Sequence, residues 1–488
     1  MCKFRFDNIP NIIFMKKILP LVWMLFILVE LVINFLQYYF TPIDGDLVAI
    51  VLPADWYSQV LSDPTGLKTI QNGNLIGGAG RSMAHWTMHL YYHHVPQLLQ
   101  YVVNPIESVY LASALFKMIA MMAFVTAFTL YNRVHTKTFG RVFLFTPILI
   151  LPLIQYRGFY DVMRTVDQAT TYVFFYLWPV ALFMLFYYPI YRWVQAPKSE
   201  RVSPTSCILL GLFAIYIALD GPLMPPLFIL FGGAVLLITW MKNPGLSGFF
   251  LLFKTRETIL IAFTMIFSLY VYYLGTFNVE SAPNADAPDL LARYKLLFQG
   301  IYILLTYMPG LSLLLIYTII LSFILNRHYK SMYAPFQKEH LILLAIVIVY
   351  IALLPLGGYR PYRPYIIRSD TSLPALAVLF FIFTQVNLLS MKFFTHDRKK
   401  YLTPILSIFL LVFFARDLAI KKENQCEMKS MEMISNARHV DTVHLDNTCN
   451  FISWEVQSNP YFTHFGSKML QEWNITDHYQ PYVQKKKE

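Results

Sequence analysis

Long apolar runs recur through most of this chain, and the connections between them alternate in kind. Every second connection carries lysine and arginine and almost no acid. Lys3, Arg5, Lys16 and Lys17 precede the first run, Arg133, Lys137 and Arg141 follow the second, and Arg192, Lys198 and Arg201 follow the fourth. Lys242, Lys254 and Arg256 follow the sixth, Arg327, Lys330 and Lys338 the eighth, and Lys392, Arg398, Lys399 and Lys400 the tenth. A bilayer core of about 30 Å takes about 20 apolar residues per helix, and cytoplasmic loops collect Lys and Arg. The alternation therefore predicts an all-α polytopic membrane protein with a cytoplasmic N-terminus and an extracytoplasmic C-terminus. Run length predicts about eleven spans, near 18–40, 109–131, 142–156, 170–191, 207–219, 223–240, 258–274, 299–325, 341–356, 372–390 and 402–419. The fifth and sixth meet at Asp220-Gly221-Pro222 and can also be read as a re-entrant hairpin.

Composition points the same way. Only 14% of the 488 residues are charged and 57% are hydrophobic, where a soluble domain carries about 25% charge. The net charge of +11 does not call for nucleic acid, because topology already accounts for the basic clusters. The first run is too long for a signal peptide and lacks a small-residue cleavage site, so it reads as an uncleaved span. The expected organisation is a cytoplasmic segment 1–17, a transmembrane domain 18–419 and an outward tail 420–488. The basic connections hold no P-loop and no Gly-rich nucleotide fingerprint, which argues against chemistry on cytosolic nucleotides.

The unusual polar residues fall in the other connections: 41–108, 157–169, 220–222, 275–298, 357–371 and the tail. The first of these is long and opens on Asp44-Gly45-Asp46. A carboxylate there can act as a general base or bind a divalent cation, magnesium or manganese. Residues 81–100 read as an aromatic helix at the interface, with Arg81 at its head. His85, His89 and His93 share one face of that helix. No carboxylate lies between them in a metalloprotease pattern, so they read as substrate contacts rather than metal ligands.

Tyr359, Arg360, Tyr362, Arg363 and Arg368 form a second concentration, stiffened by Pro361 and Pro364. Three arginines there run against the basic-side trend. A guanidinium fork suits a phosphate, and tyrosine adds stacking. The expected ligand is a lipid phosphate or pyrophosphate, against the plainer reading of headgroup anchoring. In the tail, Cys426 and Cys449 are expected to pair, since an outward position lets a disulfide persist. The tail reads as a small α+β cap, with a strand near 439–445 and a helix near 465–473.

With acids directly after the first span, in Pro42-Ile43-Asp44-Gly45-Asp46, the chain resembles the polytopic GT-C class of glycosyltransferases in overall layout. The resemblance implies a sugar donor linked to a lipid phosphate, an extracytoplasmic glycan or lipid acceptor, and Asp44 or Asp46 as base or metal ligand. Arg360, Arg363 and Arg368 would then hold the donor phosphate. Two other readings stay open: an O-antigen-type polymerase or ligase that depends on arginines alone, and a transporter or flippase of a polar or lipid-linked substrate. A structural protein whose tail binds a partner is a third.

Overall fold

The computed structural model describes residues 10–134, 139–197, 199–241, 245, 254–281, 287–361, 364–437, 440–446 and 449–485. The chain opens with α1 (Pro10–Tyr39) and builds four helices inside the first long connection: α2 (Leu47–Val51), α3 (Asp55–Ser62), α4 (Leu67–Asn72) and α5 (Ser82–Leu99). There follow α6 (Pro105–Val134), α7 (Phe139–Ile150), α8 (Thr170–Gln195), α9 (Pro204–Ala218), α10 (Met224–Met241) and α11 (Arg256–Gly275). Then come α12 (Leu290–Tyr307), α13 (Pro309–His328), α14 (Lys330–Leu353), α15 (Ser369–Phe393) and α16 (His396–Asp417). The tail adds α17 (Gln425–Asn436), β1 (Val443–Leu445), α18 (Pro460–Glu472) and β2 (Tyr482–Gln484). Its two strands pair in parallel, with Val443 opposite Tyr482.

Among the described residues, α1, α6, α8, α10, α11, α13, α14 and α15 are long and apolar enough to cross a membrane, and α7 and α9 are shorter apolar helices. The chain is an all-α multi-pass membrane protein. The expected count of eleven thus stands against eight long apolar helices. The run 299–325 is not one span, because it breaks between α12 and α13 at Met308-Pro309. Pro309 has no N–H to continue the ladder, and Met308 turns out of the helix at φ −113, ψ 82. The last run lies inside α16, where charged residues at both ends exclude it from the apolar count. The first connection, expected as a loop with one interfacial helix, holds four helices.

The bundle is organised around α15, whose apolar stretch is 89% buried, with α8 (72%) and α6 (61%) beside it and α1 (22%) and α14 (17%) at the periphery. The reason is chemical. α15 carries Thr384, Gln385 and Asn387, which have no water to bond in hydrocarbon and so need partners on other helices. Asn132 Nδ2 donates to Thr384 Oγ1 (3.1 Å), and the Tyr317 hydroxyl donates to Asn387 Oδ1 (2.8 Å). His340 Nε2 lies 2.9 Å from Gln385 Oε1. These contacts tie α6, α13 and α14 around it. Glu30, Asn34 and Gln37 of α1 share one buried face, and Gln37 donates to the Asp417 carbonyl of α16.

All the acid-bearing connections gather at one end of the bundle. Met83 N–H donates to the Leu219 carbonyl (3.0 Å), Ile76 N–H to the Phe277 carbonyl (3.0 Å), and Thr171 N–H to Asp44 (3.0 Å). The tail folds down onto this layer. Asn424 N–H donates to the Phe40 carbonyl (3.0 Å), and Trp473 Nε1–H donates to the Tyr92 carbonyl (3.1 Å). Glu427 is the clasp. Its carboxylate accepts from Ile43 N–H (2.9 Å), Ile452 N–H (3.0 Å) and the Tyr110 hydroxyl (2.8 Å), joining tail, first connection and α6. A disulfide between Cys426 and Cys449 holds the two sides of the tail together.

Candidate functional site

Asp44 and Asp46 stand in different surroundings. Asp44 is buried and fully engaged. Its Oδ1 accepts from Leu47 N–H (3.2 Å) and the Thr171 hydroxyl (2.6 Å), and its Oδ2 accepts from Thr171 N–H (3.0 Å). Asp46 accepts the indole N–H of Trp454 on Oδ1 (2.9 Å). Gly45 makes this possible, because a Cβ there would lie 2.4 Å from the Trp454 backbone nitrogen. The tail therefore docks directly on the turn between the two acids. Burial, together with the nearby charges of Asp44 and Glu280, pushes the Asp46 carboxyl up to about 6; the Trp454 bond and Arg81 pull the other way.

Glu280 gathers the cations. Its Oε2 lies 3.1 Å from Arg81 Nη2 and 2.8 Å from Arg360 Nη1. The local backbone fixes this meeting. Ile76 pairs with Asn278 in a parallel bridge, which runs 277–280 alongside the segment leading to Arg81. Gly80 (φ +75) turns that segment where its Cβ position faces the Val271 carbonyl of α11 at 3.2 Å. Arg81 also sits over the Phe175 ring at 5.3 Å. Arg368 reaches the same layer from the other side. It pairs with Asp370 and lies 5.0 Å over the Tyr172 ring, which is 6.2 Å from the Trp454 ring. Arg81, Asp46, Arg360 and Arg368 thus belong to one polar layer, linked through Glu280 on one side and through Tyr172 and Trp454 on the other.

Two concavities adjoin this layer. An apolar groove of ≈ 380 Å³ runs between α10, α11 and α14, with walls that include Leu223, Ile229, Leu269 and Leu353 and a polar end at Arg360 and Tyr176. Leu269, Tyr272 and Leu353 are also exposed on the outside of the bundle. A polar cleft, also ≈ 380 Å³, lies between the first connection and the tail, lined by Asp44, Gln168, Glu423, Asn450, Ser453 and Trp454. Trp454 stands between this cleft and Asp46.

Of the α5 histidines, His89 and His93 pack ring against ring at 4.4 Å and both reach the Val51 carbonyl, while His85 stands apart. His85 is buried against Tyr57 (4.9 Å) and Phe175 (5.3 Å), with neither ring nitrogen bonded. Burial, helped by Arg81, drives its pKa down to about 3, so it is neutral. His89 Nδ1 lies 2.7 Å from the Val51 carbonyl, and His93 Nδ1 lies 2.8 Å from Glu472 Oε1. Both of these tie α5 to its neighbours. A divalent cation does not fit the Asp44–Asp46 pair as it stands. Asp44 is spent on Thr171 and Leu47, Asp46 is turned to Trp454, and among the described residues no group of three potential ligands converges.

Tyr359 is half-buried beside Arg360. Tyr362 and Arg363 lie outside the described residues. In the 157–169 connection, Arg164 pairs with Asp161 (3.2 Å), whereas Arg157 pairs with Glu423 of the tail (3.6 Å). Sequence reasoning missed Glu280 altogether. It is the one acid between residues 258 and 285, placed just beyond an apolar helix.

Fold and layer together define a multi-pass membrane protein with one capped polar face and an apolar groove leading to it. No protein-family model matches the chain, and no curated protein matches it.

Proposed function

We propose that this protein is a GT-C-type glycosyltransferase, moving a sugar from a lipid-phosphate-linked donor to an extracytoplasmic glycan or lipid acceptor. One observation carries the reading: the apolar groove ends at Arg360, inside the cluster that holds Arg81 and Glu280 and whose charges act on Asp46. A lipid chain entering between α11 and α14 delivers its phosphate to the guanidiniums, which offset the charge that develops on the leaving group. Arg368, Tyr359, Tyr362 and Arg363 lie along the same 357–371 connection. Asp46 takes the proton of an acceptor hydroxyl. The hydroxyl oxygen bonds the anomeric carbon, the anomeric carbon–oxygen bond to phosphate breaks, and its electron pair leaves with the phosphate. An aspartate with a pKa of about 6 is still largely ionised at neutral pH and more basic than an ordinary one. The polar cleft lies across the Trp454 indole from Asp46, so an acceptor arriving there reaches Asp46 once that indole swings aside.

The orientation follows from the basic connections, which belong in the cytoplasm. The capped layer then faces outward, with the C-terminus. The crossing number stays odd if α7, α9 and α16 cross with the eight long helices and α12 lies along the outward face. Contacts favour that placement of α12. Near its start Tyr294 donates to the Ala352 carbonyl (2.9 Å), and just past its end Gly310 N–H donates to the Phe159 carbonyl (3.2 Å). Both partners belong to the capped end.

The test is binding of undecaprenyl phosphate to the purified chain in nanodiscs, with Arg360→Ala and Asp46→Asn beside wild type. The expected result is binding weakened about tenfold or more by R360A and preserved in D46N, which instead abolishes transfer. Equal binding by wild type and R360A would end this reading. Transfer that survives D46N would favour the arginine-dependent polymerase or ligase.

A further inference from the structure

A second cavity, ≈ 410 Å³, lies deeper in the bundle, walled by α8, α10, α14 and α15. Its position relative to the groove that ends at Arg360 is regular. On α8 the groove touches Tyr176 and the deep cavity begins at Val180; on α15 the corresponding residues are Thr371 and Pro374. On α14 they are Tyr350 and Ile346, and on α10 the two linings interleave at Leu227 and Leu230. On all four helices the two spaces are thus no more than about one turn apart, or about 6 Å. They are stacked end to end in one seam.

The seam is long. From Tyr176 to Gln195 along α8 it covers 19 residues by sequence number, or about 28 Å at the rise of a helix. That approaches the whole hydrocarbon thickness of about 30 Å. A chain confined to one leaflet would use about half of it. The walls of the deep cavity are almost wholly apolar until its far end, where Gln195, Lys338 and Glu339 lie. That carboxylate is already satisfied by the protein, accepting from the Tyr191 hydroxyl (2.6 Å) and from Gln195 (3.4 Å). Lys338 stands exposed at the same end, near the start of α14, so polar and charged side chains mark that mouth of the cavity. The apolar stretch between it and Arg360 suits the hydrocarbon of a molecule whose head lies at Arg360.

We infer that the deep cavity receives the distal part of the donor's lipid chain, so that the protein selects a single chain longer than one leaflet. This rests on the donor-site reading at Arg360 and adds a specificity element to it. Ala234 of α10 and Ala377 of α15 line the deep cavity and not the groove. Phenylalanine at either position fills space that the chain would use.

The experiment compares short geranyl phosphate with long undecaprenyl phosphate on the full-length protein, for wild type, Ala234→Phe, Ala377→Phe and Arg360→Ala. The wild type is expected to prefer the long chain. Each phenylalanine variant should lose about tenfold or more for undecaprenyl phosphate and less than about twofold for geranyl phosphate. Retained short-chain binding shows that the variant is folded. R360A should weaken both probes alike and leave their ratio unchanged. A long-to-short ratio that stays at the wild-type value in both phenylalanine variants overturns the inference, as does a wild type with no preference. If R360A changes neither probe, the donor-site reading fails separately, and the ratio still reports on the seam.

Discussion

Glu280→Gln should move stability and phosphate binding in opposite directions. The carboxylate holds Arg81, whose side chain is 8% exposed, and Arg360, at 19%, while being itself 37% exposed. Breaking a fully buried ion pair costs about 3–5 kcal/mol, and breaking an exposed one costs about 0–1 kcal/mol. This pair of bridges lies between those limits, so E280Q should cost about 1–3 kcal/mol. Its thermal midpoint should fall by a few degrees.

The proposed donor phosphate, however, must replace Glu280 on the same two guanidiniums. Two like charges about 6 Å apart repel by on the order of 2–3 kcal/mol at an effective dielectric constant near 20. Part of that relief is spent on arginines that are no longer held in place. A net gain of about 1 kcal/mol remains, or roughly fivefold tighter binding. The assay is thermal unfolding and geranyl phosphate titration on the same preparation. If E280Q weakens phosphate binding as R360A does, Glu280 orders the arginines for the ligand and does not compete with it. If neither quantity moves, the cluster is not coupled to the site.

The remaining expectations concern the cap and its acids. Gly45→Ala drives a Cβ into the Trp454 backbone and should destabilise the docked tail by about 1–3 kcal/mol; faster proteolysis of the tail would report it. Replacing Cys426 and Cys449 together by serine removes a bridge between residues 23 apart and should cost about 2–4 kcal/mol, read as tail cleavage under conditions where wild type is intact. Between the ordinary aspartate value and about 6, folded Asp46 keeps a proton that the unfolded chain has lost. Stability should therefore fall as pH rises through that window, while transfer, which needs the carboxylate, should rise through it. D46N should flatten the contribution to stability, and a transfer rate that stays level through pH 6 in wild type would remove Asp46 from the base role.

Reading the chain alone reaches the membrane class because apolar length and Lys/Arg placement are local signals, each written within a single segment. It also singles out Arg360, because three arginines in one short connection stand out against an apolar background, and Arg81, because it heads an aromatic helical stretch. Beyond the Cys426–Cys449 bridge, what it cannot reach is partnership. Arg81 and Glu280 are 199 residues apart, and Trp454 and Asp46 are 408 apart; nothing in the spacing of either pair announces the other. The division of 299–325 was legible at Pro309, but hydropathy runs straight through it. The first connection hid three of its four helices for a physical reason. α2, α3 and α4 are five, eight and six residues long, too short to show a periodicity, and tertiary contacts hold them in place.

Asp44 and Asp46 sharpen that lesson, because sequence treats the two acids alike and the fold does not. Asp44 accepts both the N–H and the hydroxyl of Thr171, so it fixes the start of α8 against the first connection. An asparagine side chain there would turn an N–H₂ toward donors that need an acceptor. Asp44→Asn should therefore cost about 1–3 kcal/mol for the unsatisfied buried group and lower the amount of folded protein. It should move the pH dependence of the surviving fraction to lower pH, because the Asp44 charge that helps to raise Asp46 is gone. Asp46 bonds only the Trp454 indole among the described contacts, and an asparagine oxygen can accept that bond. Asp46→Asn should then fold normally, and the rise in transfer through pH 6 should vanish with the carboxylate. Thermal unfolding and a pH–rate series on both variants separate the roles. If D44N folds at wild-type stability and loses transfer while D46N keeps it, the base is Asp44, and the bond to Trp454 is no more than the latch that holds the tail.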